Sequence, residues 1–236
     1  MTTPPPQDPQ PALPYGTPDA PRIAVRGEAR LEVDPEIARI GITVAARGKD
    51  RRAALDDLTR RNTTALDLIK TYGEAVERLE TGSFSITPQL KEHGRGERIH
   101  AYHGRVHITA ELTDFTALGE LTTRLADLDL TRVDGPWWAL RPDSPAHKEA
   151  RQQAVREAVQ RAREYADALG TTLAALVELA DIGAETPQAY PPANPGRMRS
   201  MAYATEDAAA PLDLEPQRQR VHAQVNARFT MAPPQL

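Results

Sequence analysis

The run from Ala146 to Gly170, AHKEARQQAVREAVQRAREYADALG, decides the fold. Ala150, Ala154, Ala158, Ala162, Ala166 and Leu169 recur at steps of three and four, so they share one face of a helix. Val155, Val159 and Tyr165 widen that face, and Lys148, Glu149, Arg151, Arg156, Glu157, Arg161, Arg163 and Glu164 occupy the wet side. Ser144 or Asp143 caps the start, Pro145 fits the first turn, and Gly170 supplies a left-handed stop. An alanine seam is thin and lets a helix lie close to what it covers. The spacing predicts that it covers a β-sheet built from the rest of the chain.

Outward from that helix, most segments alternate. Ile23, Val25, Ala29, Leu31 and Val33 point one way, and Arg22, Arg26, Glu28, Arg30 and Glu32 the other, as in a half-buried strand. Gly27 interrupts the pattern and marks a bulge. After the Asp34-Pro35 turn, Ile40, Ile42, Val44 and Ala46 form the inner face of a second strand, expected to pair with the first as a hairpin. Asp50 caps a helix reaching about Tyr72, with Leu55, Leu58, Ala65, Leu66 and Ile69 inward and a hydrogen-bonded Asn62 beside them. GSFSITPQL from Gly82, with Phe84 and Ile86 inward, and the strand from about Arg98 to Leu112 flank a polar turn and read as a long hairpin.

Asp114 caps a short helix, Leu130–Leu140 is a strand, and another follows the long helix around Leu176–Ile182. The closing run QRVHAQVNARFTM alternates with Val221, Ala223, Val225, Ala227 and Phe229 inward. The order ββαββαβαββ predicts an α+β fold, a largely antiparallel sheet with helices on one face. Residues 1–21 are expected to be a disordered Pro-rich tail, 22–231 one domain, 183–217 an irregular loop within it, and 232–236 a short tail.

The composition bounds the function. In 236 residues, hydrophobic types make up 40% and aromatics 5%, so burial rests on Ala, Val, Leu and Ile. The net charge of −4 argues against general affinity for nucleic acid or anionic membrane. The absence of Cys excludes disulfides, thiolate ligands and a cysteine nucleophile. No stretch approaches the roughly 20 apolar residues of a membrane span, so no membrane insertion is expected. The first residues lack the basic start and apolar core of a secretory signal, and a cytoplasmic location is expected.

The pattern resembles the SIMPL-domain family, over about residues 22 to 230. VRGEARLEVDPEIARIGITVAARG is similar to that family's opening strands, with a Gly in the first and Pro plus acid at the turn. LETGSFSITPQL is similar to its Ser-Phe-Ser strand ending in Pro, Tyr102 to the tyrosine that starts the next strand, and the alanine helix and closing strand match in kind and order. The sequence departs from it at Leu90, where an aromatic often follows the Pro, at Glu215-Pro216, and at the front, where an export signal would be. The resemblance implies a fold but no catalytic residues. It also implies association into oligomers, frequent export among bacterial members, and a link with stress tolerance.

Candidate chemistry is sparse. His93, His100, His103 and His107 cluster in sequence, and imidazole suits zinc, copper or nickel. On an ideal strand His103 and His107 stand roughly 13 Å apart, so a metal site would need a bulge and a further ligand such as His222. No nucleophile elbow and no phosphate-binding glycine loop is present. The outward arginines Arg22, Arg26, Arg30, Arg105, Arg220 and Arg228 suit anions, but interleaved Glu28, Glu32 and Glu111 suit cross-strand ion pairs. These faces lack the aromatics on which RNA bases stack, so no nucleic acid is expected.

Adjacent Trp137 and Trp138 point to opposite faces of a strand, the outward one an anchor for a partner. Met198, Met201 and Tyr203 add a flexible docking patch. The expected function is therefore a non-enzymatic homo-oligomeric or scaffold protein acting through protein contacts, in stress response or envelope-linked processes. Trp137, Trp138, Met198, Met201 and Tyr203 are the interface candidates, with no catalytic residue and no cofactor. The alternatives are a metal-binding protein or enzyme using His103, His107 or His222, and a binder of anionic ligands on the arginine-rich sheet face.

Overall fold

A computed structural model of the chain describes residues 16–90, 99–181 and 212–235. In chain order the elements are β1 (Gly16–Thr17), β2 (Ala20–Val33), β3 (Ile37–Gly48), α1 (Arg51–Lys70), β4 (Val76–Leu90), β5 (Ile99–Leu112), α2 (Phe115–Ala126), β6 (Thr131–Ala139), α3 (Pro145–Ala168), β7 (Leu173–Asp181) and β8 (Gln219–Met231). Apart from the two-residue β1, this is the expected ββαββαβαββ order, and the fold is α+β with antiparallel sheets.

The strands form two sheets rather than one, ordered β1-β2-β8-β7 and β4-β5-β3-β6. The expected β2–β3 hairpin does not form. The polar groups that follow β2 are engaged elsewhere: Glu36 N donates to Ala139 O at 3.0 Å, and Glu36 Oε2 accepts from Arg141 N at 2.9 Å. Alternation fixes which way a strand faces but not its neighbour. The chain divides into two compact units. Among described residues the first holds 16–32, 143–181 and 220–235, and the second 33–90, 99–142 and 212–219. Residues 16–21, expected to lie in the Pro-rich tail, are paired: Gly16 with Pro21 and Thr17 with Ala20. Residues 1–15 lie outside the described part.

In the first unit the fully buried residues of α3 are all alanine, with Val155 and Val159 half-buried beside them. Ala146, Ala150, Ala154, Ala158, Ala162 and Ala166 are all buried. Ala154, Ala158 and Ala162 meet Val25 and Ala29 of β2 and Val225, Ala227 and Phe229 of β8. A Cβ at Gly27 would lie 2.0 Å from Ala154 O and 2.7 Å from the Ala158 Cβ, so only glycine allows this approach. Ser144 caps the helix by accepting from Ala146 N at 3.3 Å, and Gly170 follows at φ +64°. Tyr165 and Leu169 are corrections to the expected inner face, being 54% and 39% exposed. Val155 and Val159 widen the face as expected, whereas Tyr165 and Leu169 lie beyond it.

In the second unit α1 and α2 cover β4-β5-β3-β6. The core holds Ile40, Ile42 and Val44 of β3, Ile108 and Leu112 of β5, Leu58 and Ile69 of α1, and Leu118, Leu121 and Leu125 of α2. Asp50 caps α1 through Ala53 N at 2.8 Å, and Asp114 caps α2 through Thr116 N at 2.9 Å, as the sequence predicts. Leu55 is 40% exposed while Ala54 is fully buried, which reverses the expected inner position. The cause is close approach to β3, since a Cβ at Gly48 would lie 2.2 Å from Ala54 N. Asn62 was expected to be partnered, yet among the described residues its Oδ1 is buried without a hydrogen bond.

β4 begins at Val76, six residues before the expected strand start at Gly82. Phe84 pairs in register with Val106 but is 57% exposed, beyond the cover of the helices. Residues 183–211 of the expected irregular loop lie outside the described part. Its end is ordered: Leu212 N donates to Thr123 Oγ1 at 3.1 Å, and Leu214 packs on the second core.

Candidate functional site

β6 places the two tryptophans on opposite faces. Trp138 joins the second core, its ring edge-on to Phe115 at 4.8 Å between centroids. Trp137 lies on the outer face and is 53% exposed. Its indole rests over Gly41 of β3: a Cβ there would lie 3.4 Å from Trp137 Cη2 and 3.0 Å from His107 Cε1. Trp137, Gly41 and His107 thus form a row across β6, β3 and β5. Met198, Met201 and Tyr203, the other interface candidates, lie outside the described residues, as does His93.

His103, His107 and His222 are engaged in local contacts, and His100 is exposed at the start of β5. Thr43 Oγ1 lies 3.3 Å from His107 Nδ1. His103 Nε2 is 3.1 Å from Arg47 Nε and 2.8 Å from Gln89 Oε1. One ring nitrogen accepts from the guanidinium or donates to the amide, not both at once. His222 belongs to the first unit, where its Nε2 lies 3.2 Å from Gln224 Nε2. Among the described residues no three His, Cys, Asp or Glu groups gather to hold a metal ion.

Arginines and acids pair across the sheets. Arg39 binds Glu111 through Nε at 2.9 Å and Nη2 at 2.5 Å, Arg220 binds Glu32 at 3.1 Å, and Arg228 binds Glu178 at 2.6 Å. On α1, the Arg61 hydrogen bond holds the Asp57 carboxyl below the usual aspartate range; partial burial opposes this and Arg60 reinforces it. Arg61 also donates to Asp129 O at 2.9 Å, so this pair ties α1 to the turn before β6.

The most unusual surface is one that the pattern reading passed over. Among the described residues β7 is an edge strand, hydrogen-bonded only to β8. Leu176, Val177 and Leu179 are 55%, 43% and 46% exposed. Leu176 pairs with Phe229 and Leu179 with Ala227, so both side chains lie on the α3 side, yet α3 does not cover them. The signal was in the sequence. LAALVELAD is apolar apart from Glu178 and Asp181, close to the composition of a strand buried on both sides, and it stands at an edge. Among the described residues no helix is long and apolar enough to cross a membrane.

Comparison with known proteins fits this architecture. Residues 23–229 match the SIMPL family, described as a protein of unknown function (DUF541). The 26 kDa periplasmic immunogenic proteins of Brucella melitensis biotype 1 and Brucella abortus strain S19 are each 28% identical over 198 residues, covering 81% of this chain and 78% of theirs. A solved structure from Burkholderia cenocepacia, described as a candidate amidohydrolase/peptidase, is 15% identical with a TM-score of 0.26. The match covers 56% of this chain and 33% of that one, a likeness too slight to carry any argument. The expected cytoplasmic location is overturned, because the two Brucella relatives are named as periplasmic proteins. With 23–229 matched out of 236 residues, the chain belongs to the SIMPL family.

Proposed function

We propose that this chain is a non-enzymatic, exported SIMPL protein that works by assembling with copies of itself, and that β7 is the contact. The observation that carries the reading is the exposed apolar edge of β7. An open edge leaves backbone N–H and C=O groups unpaired along one side, a template for another strand. Soluble proteins usually guard such an edge with charge, proline or a bulge turned away from solvent. The register of β7 against β8 shifts between Leu173 and Ala175 and between Leu176 and Glu178, but the only charges of β7 are Glu178, already matched by Arg228 at 2.6 Å, and terminal Asp181.

A second β7 suits this edge best. Two copies related by a two-fold axis present the same surface to each other. A nearly uncharged strand meets its own copy without repulsion, and Leu176, Val177 and Leu179 leave water together. Burying such side chains is worth about 25 cal/mol per Å² of apolar surface. Export and an envelope- or stress-linked role belong to the same proposal; they rest on the family and on the printed name of the Brucella relatives. Trp137 stands in the second unit and is a separate surface.

Hydrogen exchange at high and low protein concentration tests this reading. The edge-facing amides of β7 are expected to be protected at tens of micromolar and to exchange faster on hundredfold dilution, while β3 amides hold constant. Equal exchange of β7 at both concentrations, with the protein monomeric throughout, contradicts it.

A further inference from the structure

The sheet of the first unit has a second face, away from α3. Arg228 and Asn226 of β8 stand on it, with Glu178 and Ala180 of β7 directly opposite them in register. β2 flanks β8 on its other side with Ala24 and Arg26. Ala24 and Ala180 are too short to fill the space between their longer neighbours. The result is a hollow of about 440 Å³, lined by these six residues and by the backbone of Val25 and Ala227. Its volume lies within the range of small-molecule sites.

The polar groups around the hollow are unevenly satisfied. Arg228 and Glu178 are bound to each other at 2.6 Å. Other arginines of this face are also matched, Arg220 with Glu32 at 3.1 Å and Arg30 with Glu28 at 4.0 Å. Arg26 and Asn226 are exposed and make no side-chain hydrogen bond or ion pair among the described residues. A guanidinium presents a planar fork of donors, and the Asn amide adds two more. Two guanidinium charges against one carboxylate leave a single positive charge in the hollow.

We propose that this hollow binds a small carboxylate ligand, gripped by the fork of Arg26 with the Asn226 amide donating beside it. The planar fork fits a carboxylate through two parallel hydrogen bonds. One net positive charge balances one carboxylate. A phosphomonoester carries about −1.5 to −2 at pH 7, and its excess charge would face Glu178. The alanine floor leaves room for a short apolar body behind the carboxylate. The site lies on the sheet face rather than on the β7 edge, so it does not depend on self-assembly.

The test uses the full chain and three probes: N-acetyl-dialanine with a free carboxylate, the same compound as its C-terminal amide, and glycerol phosphate. Amide shifts are followed by NMR in wild type and in the Arg26→Gln and Asn226→Ala variants. Both substitutions are at exposed positions, and an unchanged spectrum elsewhere shows that the fold is kept. The free acid is expected to shift β2 and β8 around the hollow, to bind at least tenfold more tightly than the amide or glycerol phosphate, and to lose at least tenfold in R26Q and several-fold in N226A. Equal binding of acid and amide, tighter binding of glycerol phosphate, wild-type affinity in R26Q, or no shift at the hollow at millimolar acid would each overturn the proposal.

Discussion

Both sheets of this protein have four strands, and they are covered differently. β4-β5-β3-β6 carries two helices, and the large side chains of its core are buried isoleucine, leucine and valine. β1-β2-β8-β7 carries α3, whose buried contribution is alanine throughout. Large side chains fill space between elements held apart, whereas alanine and glycine bring backbones together without filling anything. The second unit therefore gains its stability from volume. The first gains it from closeness, over a narrow strip along β2 and β8, and leaves β7 bare. The second unit also exposes apolar groups, such as Phe84, Leu90 and Ile99 along the β4–β5 hairpin. β7 differs in having three within four residues on one open edge.

Substitutions in the two units should therefore fail for opposite reasons. Leu121→Ala leaves a cavity in the two-helix core and should cost about 2–5 kcal/mol, read as a lower urea midpoint with an unchanged slope. A loss below about 1 kcal/mol would mean that this core is loosely packed. Gly27→Ala does the reverse and adds volume where none is free. Its Cβ would meet Ala154 O and the Ala158 Cβ, both fixed by the helix, and overpacking of this kind costs about 1–3 kcal/mol. A neutral or stabilising Gly27→Ala would show that α3 does not sit against β2.

The smallest effect falls on the surface of α1. Asp57→Asn removes the pairs with Arg61 and Arg60, a loss of at most about 1 kcal/mol for a solvent-screened site. The folded carboxyl titrates below its ordinary value. Its contribution is therefore complete above the unfolded value of about 3.9 and fades as pH falls through the lower folded value. The difference between wild type and D57N should be present at pH 7 and absent in strong acid. A difference that grew on acidification would contradict the pairing.

The fold was legible wherever one face of an element is buried and the other wet. The seam of α3, the inner residues of β3 and β8, and the caps Asp50, Asp114 and Ser144 all follow from spacing and from hydrogen-bonding chemistry. What was not legible depends on neighbours. Alternation in β2 gives its two faces but cannot say that β8, not β3, lies beside it. Ala54 of α1 displaces Leu55 from the interior because of Gly48 on β3. The sites were less visible still. Opposite faces for Trp137 and Trp138 follow from adjacency on a strand, but the hollow beside Arg26 needs two alanines on strands about 150 residues apart in the chain. The openness of β7 follows from its place in the sheet and not from its composition.

Sedimentation of wild type beside a Leu176→Lys/Leu179→Lys variant tests the incomplete sheet most directly. Neither side chain is buried, so the variant should fold with an unchanged far-UV spectrum. The account predicts an oligomer for wild type at tens of micromolar and a monomer for the variant. A wild type that is monomeric at that concentration, or a variant that keeps the wild-type mass, would contradict it.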